Sequence, residues 1–276
     1  MNSRDLRVAV LISAHNRSAM THSCLTSLSA AARCAPEFRI KVFLTDDGCS
    51  DDTVARAREA FADIDIISGD GYLYWAGGMA AAESRALDWE PDYFLWLNDD
   101  VILLEDALNA LVSASSSSHL TIAVGATRDP DDGQLSYGGA WIQGRHPQRF
   151  MTLPVSSDTQ LADTFHGNIV LIPRDAHDRI GLIDGEFGHG YADFDYGLRA
   201  RNEGVSVVQV PGFVGECRRH AQRASFAGGL RARWEDAQDP VFGLPWRSQM
   251  RYLRRHAGWE WPLYSLWSVV HRFIRG

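Results

Sequence analysis

Long apolar runs are missing from this 276-residue sequence. No stretch approaches the roughly 18 consecutive apolar residues that a transmembrane helix needs. No signal peptide is expected, because the run Val8-Ala9-Val10-Leu11-Ile12 is too short for the apolar centre of one. Cysteine is scarce. Cys24, Cys34, Cys49 and Cys217 show no C-x-x-C spacing, which argues against a zinc site or a disulfide framework and for a reducing compartment. Internal repeats and long low-complexity tracts are absent. Net positive charge is absent too: the chain carries −8, which disfavours nucleic acid as a bulk partner. Its composition, 45% apolar and 22% charged, is that of a folded soluble protein, and a cytoplasmic location is expected.

The charge is uneven. From Pro245 to Gly276 there are Arg247, Arg251, Arg254, Arg255, Arg272 and Arg275 against one acid, Glu260, a net of +5 that leaves −13 on the rest.

Hydrophobic periodicity predicts strands at Leu6–Ser13, Ile40–Thr45, Asp63–Ile67 and Tyr93–Leu97. Helices are predicted between them, over Thr21–Arg33, from Thr53 to Phe61, and over Gly77–Ala86. Strands alternating with helices of this length predict an α/β fold, a mostly parallel sheet with helices on both faces. The serines from Ser113 to Ser118 read as a turn and a soft boundary. Beyond them come strands at Thr121–Ala126, Ile169–Ile172 and Val205–Val210, a turn from Arg128 to Gly133, and a hairpin region at Gly138–Arg149.

Ligands of such sheets bind outside the carboxyl ends of the strands. Three polar elements fall there: His15-Asn16-Arg17, Asp46-Asp47-Gly48 and Asn98-Asp99-Asp100. The last delivers two carboxylates and an amide to one strand tip, a donor set suited to a hard divalent cation that also takes substrate phosphates. Asp-Asp pairs are also common on ordinary surface loops.

In order along the chain, Val8 to Arg17, Asp46-Asp47-Gly48-Cys49-Ser50-Asp51, Leu97-Asn98-Asp99-Asp100-Val101 and Gly181-Leu182-Ile183-Asp184 with Tyr191 to Arg201 resemble the motifs of family 2 glycosyltransferases, inverting enzymes of the GT-A fold. The resemblance covers roughly residues 6 to 220. It implies a catalytic domain over 1–240, with a nucleotide-binding half at about 1–112 and an acceptor-binding half at about 119–240, followed by a helical tail over 241–276.

The same resemblance implies roles. Asn98, Asp100 and His220 are the expected ligands of Mn²⁺ or Mg²⁺, with Asp99 beside them at the donor. Asp46 or Asp47 is expected on the pyrimidine N3–H of the donor, unless one of them caps the helix near Thr53. His15, Asn16, Arg17, Gly69, Asp70, Trp75, Gly77 and Gly78 are expected around the nucleotide sugar. Tyr72, Tyr74 and Trp75 compete for core positions, two of the three by size. Asp193 matches the catalytic base, and it and Asp195 also suit the start of a helix over Tyr196–Arg201. His166, Gly167, His189 and Tyr191 flank that base as candidates for acceptor contacts. Two positions depart from the pattern: Asn98 stands where an Asp is usual, and Ala192 where a Glu is usual.

The function implied is metal-dependent transfer from a UDP- or dTDP-sugar to a hydroxyl of a bacterial surface glycan or lipid-linked acceptor. Relatives with a Leu-Asn-Asp-Asp-like motif and a trailing His point to a deoxysugar such as rhamnose. A sugar nucleotidyltransferase should show a glycine-rich loop after the first strand, which His15-Asn16-Arg17-Ser18 lacks. A catalytically dead nucleotide- or glycan-binding module is the third reading, kept open by Asn98 and Ala192.

In the tail, Trp246, Met250 and Leu253, then Leu263, Leu266, Trp267, Val270 and Ile274 after Pro262, fall at helical spacing. With clustered Arg, they fit a helix lying on the inner face of the plasma membrane, or a helical pair packed on the catalytic domain or in a homodimer.

Overall fold

The computed structural model describes residues 6–116, 118–219 and 246–275. The first half winds as β1 (Leu6–Ala14), α1 (Ser18–Arg33), β2 (Phe38–Asp46), α2 (Thr53–Ala60), β3 (Ile64–Ser68), α3 (Tyr74–Leu87) and β4 (Tyr93–Leu97). A short β5 (Ile102–Leu103) and α4 (Ala107–Ser115) lead to β6 (Thr121–Arg128). Four short strands follow: β7 (Leu135–Tyr137), β8 (Gly139–Ile142), β9 (Phe150–Thr152) and β10 (Gln160–Ala162). Then come β11 (Thr164–Phe165), β12 (Ile169–Pro173), α5 (Arg174–Ile180), α6 (Ala192–Asn202) and β13 (Ser206–Glu216). Two helices close the chain, α7 (Trp246–His256) and α8 (Trp261–Arg275).

One sheet runs through both halves in the order β10-β13-β6-β12-β4-β1-β2-β3. β3, β2, β1 and β4 are mutually parallel, and β12 runs antiparallel between β4 and β6. Alternation explains the unbroken apolar strands. Val8, Val10 and Ile12 of β1 enter the core on one face, Ala9 and Leu11 the core on the other, and β4 divides Tyr93, Leu95 and Leu97 from Phe94 and Trp96 in the same way.

Parallel strands bring their carboxyl ends to one edge, and Ala14 pairs with Asp46 there. Because β12 is antiparallel, its amino end arrives at that same edge, where the Asn98 N–H donates to the Asn168 carbonyl at 3.0 Å. The sheet thus places residues of both halves around one rim.

One expectation needs correction. Ser113–Ser115 form the last turn of α4 rather than a loop turn: Ser115 is buried and its hydroxyl donates to the Thr121 carbonyl at 2.8 Å, joining α4 to the next strand. The tail packs on the body, as one of its expected arrangements has it, with Tyr252 and Leu253 of α7 fully buried in the second core.

Candidate active site

A cavity of about 450 Å³ opens at the carboxyl edge of the sheet. His15, Arg17, Asp47, Trp75, Asn98, Asp99, Asp100, His166, Gly167, His189 and Asp193, all expected from sequence, line it together with Ser13, Gly71, Tyr74, Tyr137 and Asn168. The convergence of the three strand tips is therefore real.

At the tip of β4 a cation already stands between the acids. Arg17 Nη1 lies 3.0 Å from Asp99 Oδ1, and Nη2 lies 3.0 Å from Asp100 Oδ2. Asp99 is buried and accepts from the Thr21 hydroxyl. Burial pushes its carboxyl up to about 7, against the pull of Arg17. Asp100 also accepts a 3.6 Å contact from the Cys217 thiol, which burial drives well above its ordinary range.

Asn98 lines the cavity, where its Oδ1 accepts the Trp75 indole N–H at 2.8 Å and keeps a second lone pair. Trp75 is held in turn by a close approach: a Cβ on Gly167 would lie 2.6 Å from its ring.

The Asp46–Asp47 pair is spent on backbone. Asp46 Oδ1 accepts the Cys49 N–H at 2.8 Å. Asp47 accepts from Gly71 at 2.8 Å, Leu73 at 3.3 Å and Tyr74 at 2.9 Å, so it closes the loop that starts α3. Neither caps the helix at Thr53; Asp51 does, accepting that residue's N–H at 3.0 Å. Three groups already donate to Asp47, which leaves little capacity for a pyrimidine N3–H, although its side chain borders the cavity.

Several glycines and polar residues of the expected donor site serve the frame instead. A Cβ on Gly78 would collide with Ser13, and one on Gly77 would press Leu73 at 3.2 Å, so both let α3 lie close to its neighbours. Gly69 packs on Asp47, and Asp70 accepts the Tyr72 N–H two residues on. Asn16, at φ +52°, ties its loop to Ser50 at 2.8 Å. His15 does reach the cavity, its Nδ1 2.6 Å from the Asp47 carbonyl. Tyr72 is 76% exposed, and Tyr74 and Trp75 are half-buried and line the cavity, so none of the three is a fully buried core residue.

Asp193 lines the same cavity. α6 begins at Ala192, earlier than predicted, after Tyr191 turns the chain at φ +73°. Asp193 Oδ2 accepts the Gly167 N–H at 3.0 Å, and Oδ1 accepts the Phe194 N–H at 2.8 Å. Burial lifts its carboxyl above the ordinary carboxylate range, opposed by nearby His166 and these two N–H groups. His166 and His189 border the same space, while Tyr191 turns away and stacks on Tyr252 with centroids 4.9 Å apart. His220 lies outside the described residues. Tyr137 carried no local signal for the site and enters because β7 ends at this rim, whereas Asn168 belongs to the His166-Gly167-Asn168 run that flanks Asp193 in the chain.

These residues fit a divalent cation. The two carboxylates at the strand tip already accommodate a positive charge between them. Among the described residues no cluster of three His, Cys, Asp or Glu could cage a metal, so the remaining ligands would be phosphate oxygens and water, as is usual for Mg²⁺.

The family model described as Glycosyl transferase family 2 matches residues 9–181. A search of curated proteins finds no match. Among solved structures, the chain is similar to GalNAc-T7 with UDP, GalNAc and Mn²⁺, at 14% identity and a TM-score of 0.63 over 97% of this chain and 51% of that one. It therefore spans about half the length of that protein. It is also similar to the mannosyltransferase PcManGT from Pyrobaculum calidifontis in complex with GDP-Man and Mn²⁺, at 14% identity and a TM-score of 0.58 over 96% and 72%. A third likeness, to residues 1–349 of TarS from S. aureus, has 10% identity and a TM-score of 0.58 over 98% and 71%. At these identities the likeness is one of fold, the GT-A arrangement of a mostly parallel sheet flanked by helices.

Proposed function

The chain belongs to glycosyl transferase family 2, and on that premise we propose that it moves a sugar, with inversion, from a UDP- or dTDP-sugar to a hydroxyl of a bacterial surface glycan or lipid-linked acceptor. The observation that carries this reading is one cavity lined both by a carboxylate pair, Asp99 and Asp100, and by Asp193. The acceptor oxygen attacks the anomeric carbon, the bond to the diphosphate breaks, and the hydroxyl proton passes to Asp193. A carboxylate raised by burial is a better base at neutral pH than one at about 3.9. Trp75, fixed by Asn98 and Gly167, and His15 define the space for the donor. His166 and His189 stand where the acceptor would approach. Asp100 and Asp99 would hold Mn²⁺ or Mg²⁺, which when bound neutralises charge developing on the leaving diphosphate. Two of the similar structures were solved with Mn²⁺, in keeping with that choice.

The test is thermal unfolding with UDP, dTDP, GDP and CMP, each with and without Mn²⁺. UDP or dTDP should raise Tm only with the metal, by the equivalent of about 2.7 kcal/mol at a hundredfold excess over Kd. Silence with all four nucleotides would sink the reading, and a response to GDP alone would move the donor class.

The same proposal includes contact with the membrane through the C-terminal helices. No helix among the described residues is long and apolar enough to cross a bilayer. Leu263 at 61% and Leu266 at 64% exposure join Trp267 and Val270 on one outward face of α8, with Trp259 beside them at 82%. Of the arginines of α7, Arg251 and Arg255 are engaged by Asp184, Glu186 and Asp195. Arg247 and Arg254 are left for anionic headgroups, Arg254 with its guanidinium 4.8 Å over Trp261. Exposed tryptophan and leucine beside arginine suit an interfacial helix. The full chain should float with vesicles containing anionic lipid, and Leu266→Glu with Trp267→Glu should abolish this. Self-association without flotation would assign the face to a homodimer.

A further inference from the structure

The Arg17 clamp has a consequence for how the site loads. Arg17 lies in the loop between β1 and α1, its backbone fixed at both ends: its N–H donates to the Thr53 hydroxyl at 3.2 Å and its carbonyl accepts from Thr21 at 2.9 Å. Its side chain is one-third exposed, yet the guanidinium gives one nitrogen to each acid of the β4 tip, and those acids are 4% and 11% exposed. Arg17 and Asp100 border the donor cavity on one side and a second cavity of about 620 Å³ on the other. The guanidinium therefore has room to leave.

A bare divalent ion entering between Asp99 and Asp100 would have to displace this cation and break its two ion pairs with nearly buried acids, which is costly. A diphosphate changes that balance. It brings oxygens that a guanidinium binds in a two-pronged geometry, and it supplies metal ligands beyond the two acids, where the described residues gather no cluster of three. We propose that Arg17 is a resident cation that keeps the acidic tip closed to metal in the donor-free protein and transfers to the diphosphate when a metal–nucleotide complex arrives. The metal then enters with the nucleotide and not before it. This inference rests on the glycosyl-transfer reading.

The experiment is Mn²⁺ binding to the metal-free full chain, read by electron paramagnetic resonance, in wild type, Arg17→Met and Arg17→Lys. With Mn²⁺ alone, the Met variant should bind about tenfold tighter than wild type, the scale of one strong ion pair. With UDP or dTDP present the order should reverse, the Met variant losing about tenfold in affinity for the complex. Lys keeps the charge without the fork and should fall between, and it carries the comparison if the Met variant fails to fold. Equal affinity for Mn²⁺ alone in wild type and in whichever variants fold overturns the proposal while leaving the enzyme reading intact. No Mn²⁺ binding with any nucleotide, in any of the three, overturns both the proposal and the metal-dependent reading.

Discussion

Asp193→Asn should lower kcat for sugar transfer by about 10²- to 10⁴-fold, the usual contribution of a positioned general base. Nucleotide binding should stay at the wild-type level, because the proposed role of Asp193 is toward the acceptor and not the donor. The asparagine oxygen retains a backbone partner in Gly167 or Phe194, so the fold survives. Stability moves the opposite way from activity. The folded carboxyl is raised by burial, so holding it ionised opposes folding above the unfolded pKa, and that penalty disappears as pH falls below it. Asn carries no such penalty. Its Tm should exceed wild type at pH 8 and the gain should shrink toward pH 4. Product formation, calorimetric nucleotide binding and unfolding at the two pH values check all three parts. Retained turnover would remove Asp193 from the base role and favour another group lining the cavity.

Loss of Asp195 unfolds what Asp193 stands on. Asp195 is fully buried and accepts from Arg199 Nε at 2.9 Å, Arg255 Nη1 at 2.7 Å and His256 at 2.8 Å. Arg255 and His256 come from α7, so this carboxylate fastens the C-terminal helix to the helix that carries Asp193. Burial alone would raise it, but His256, Arg199 and Arg255 hold it below the ordinary range. Removing one partner of such a group strands the others, and Asp195→Ala should cost about 3–5 kcal/mol, or about 10 °C in Tm. A folded pKa that is lowered gives stability present above the unfolded pKa and lost as pH falls through the folded one. The wild-type advantage over Asp195→Ala should therefore hold at pH 6–8 and vanish in strong acid. Truncation before Trp246 removes Arg255, His256, Tyr252 and Leu253 together and should be at least as damaging. A Tm within two or three degrees of wild type for either variant would show that α7 is an appendage.

The sequence by itself determined the layers and the rim. Burial of β1 and β4 on both faces follows from their unbroken apolar runs, and parallel strands necessarily bring His15, Asp47 and Asn98 to one edge. The acids of the β4 tip and Asp193 were legible because their types and order repeat a known pattern. What each side chain does at that edge was decided only by the tertiary structure. Arg17 meets Asp100 across 83 residues, Trp75 meets Asn98 across 23, and Arg255 meets Asp195 across 60. Asn98 meets an indole, Asp47 meets three N–H groups, and Gly77 and Gly78 meet Leu73 and Ser13, partners that the motifs do not specify. The physical reason is the same in each case. Periodicity reports which face of an element is buried, whereas a polar atom's partner is whichever donor or acceptor the folded chain brings within about 3 Å, and no local spacing encodes that.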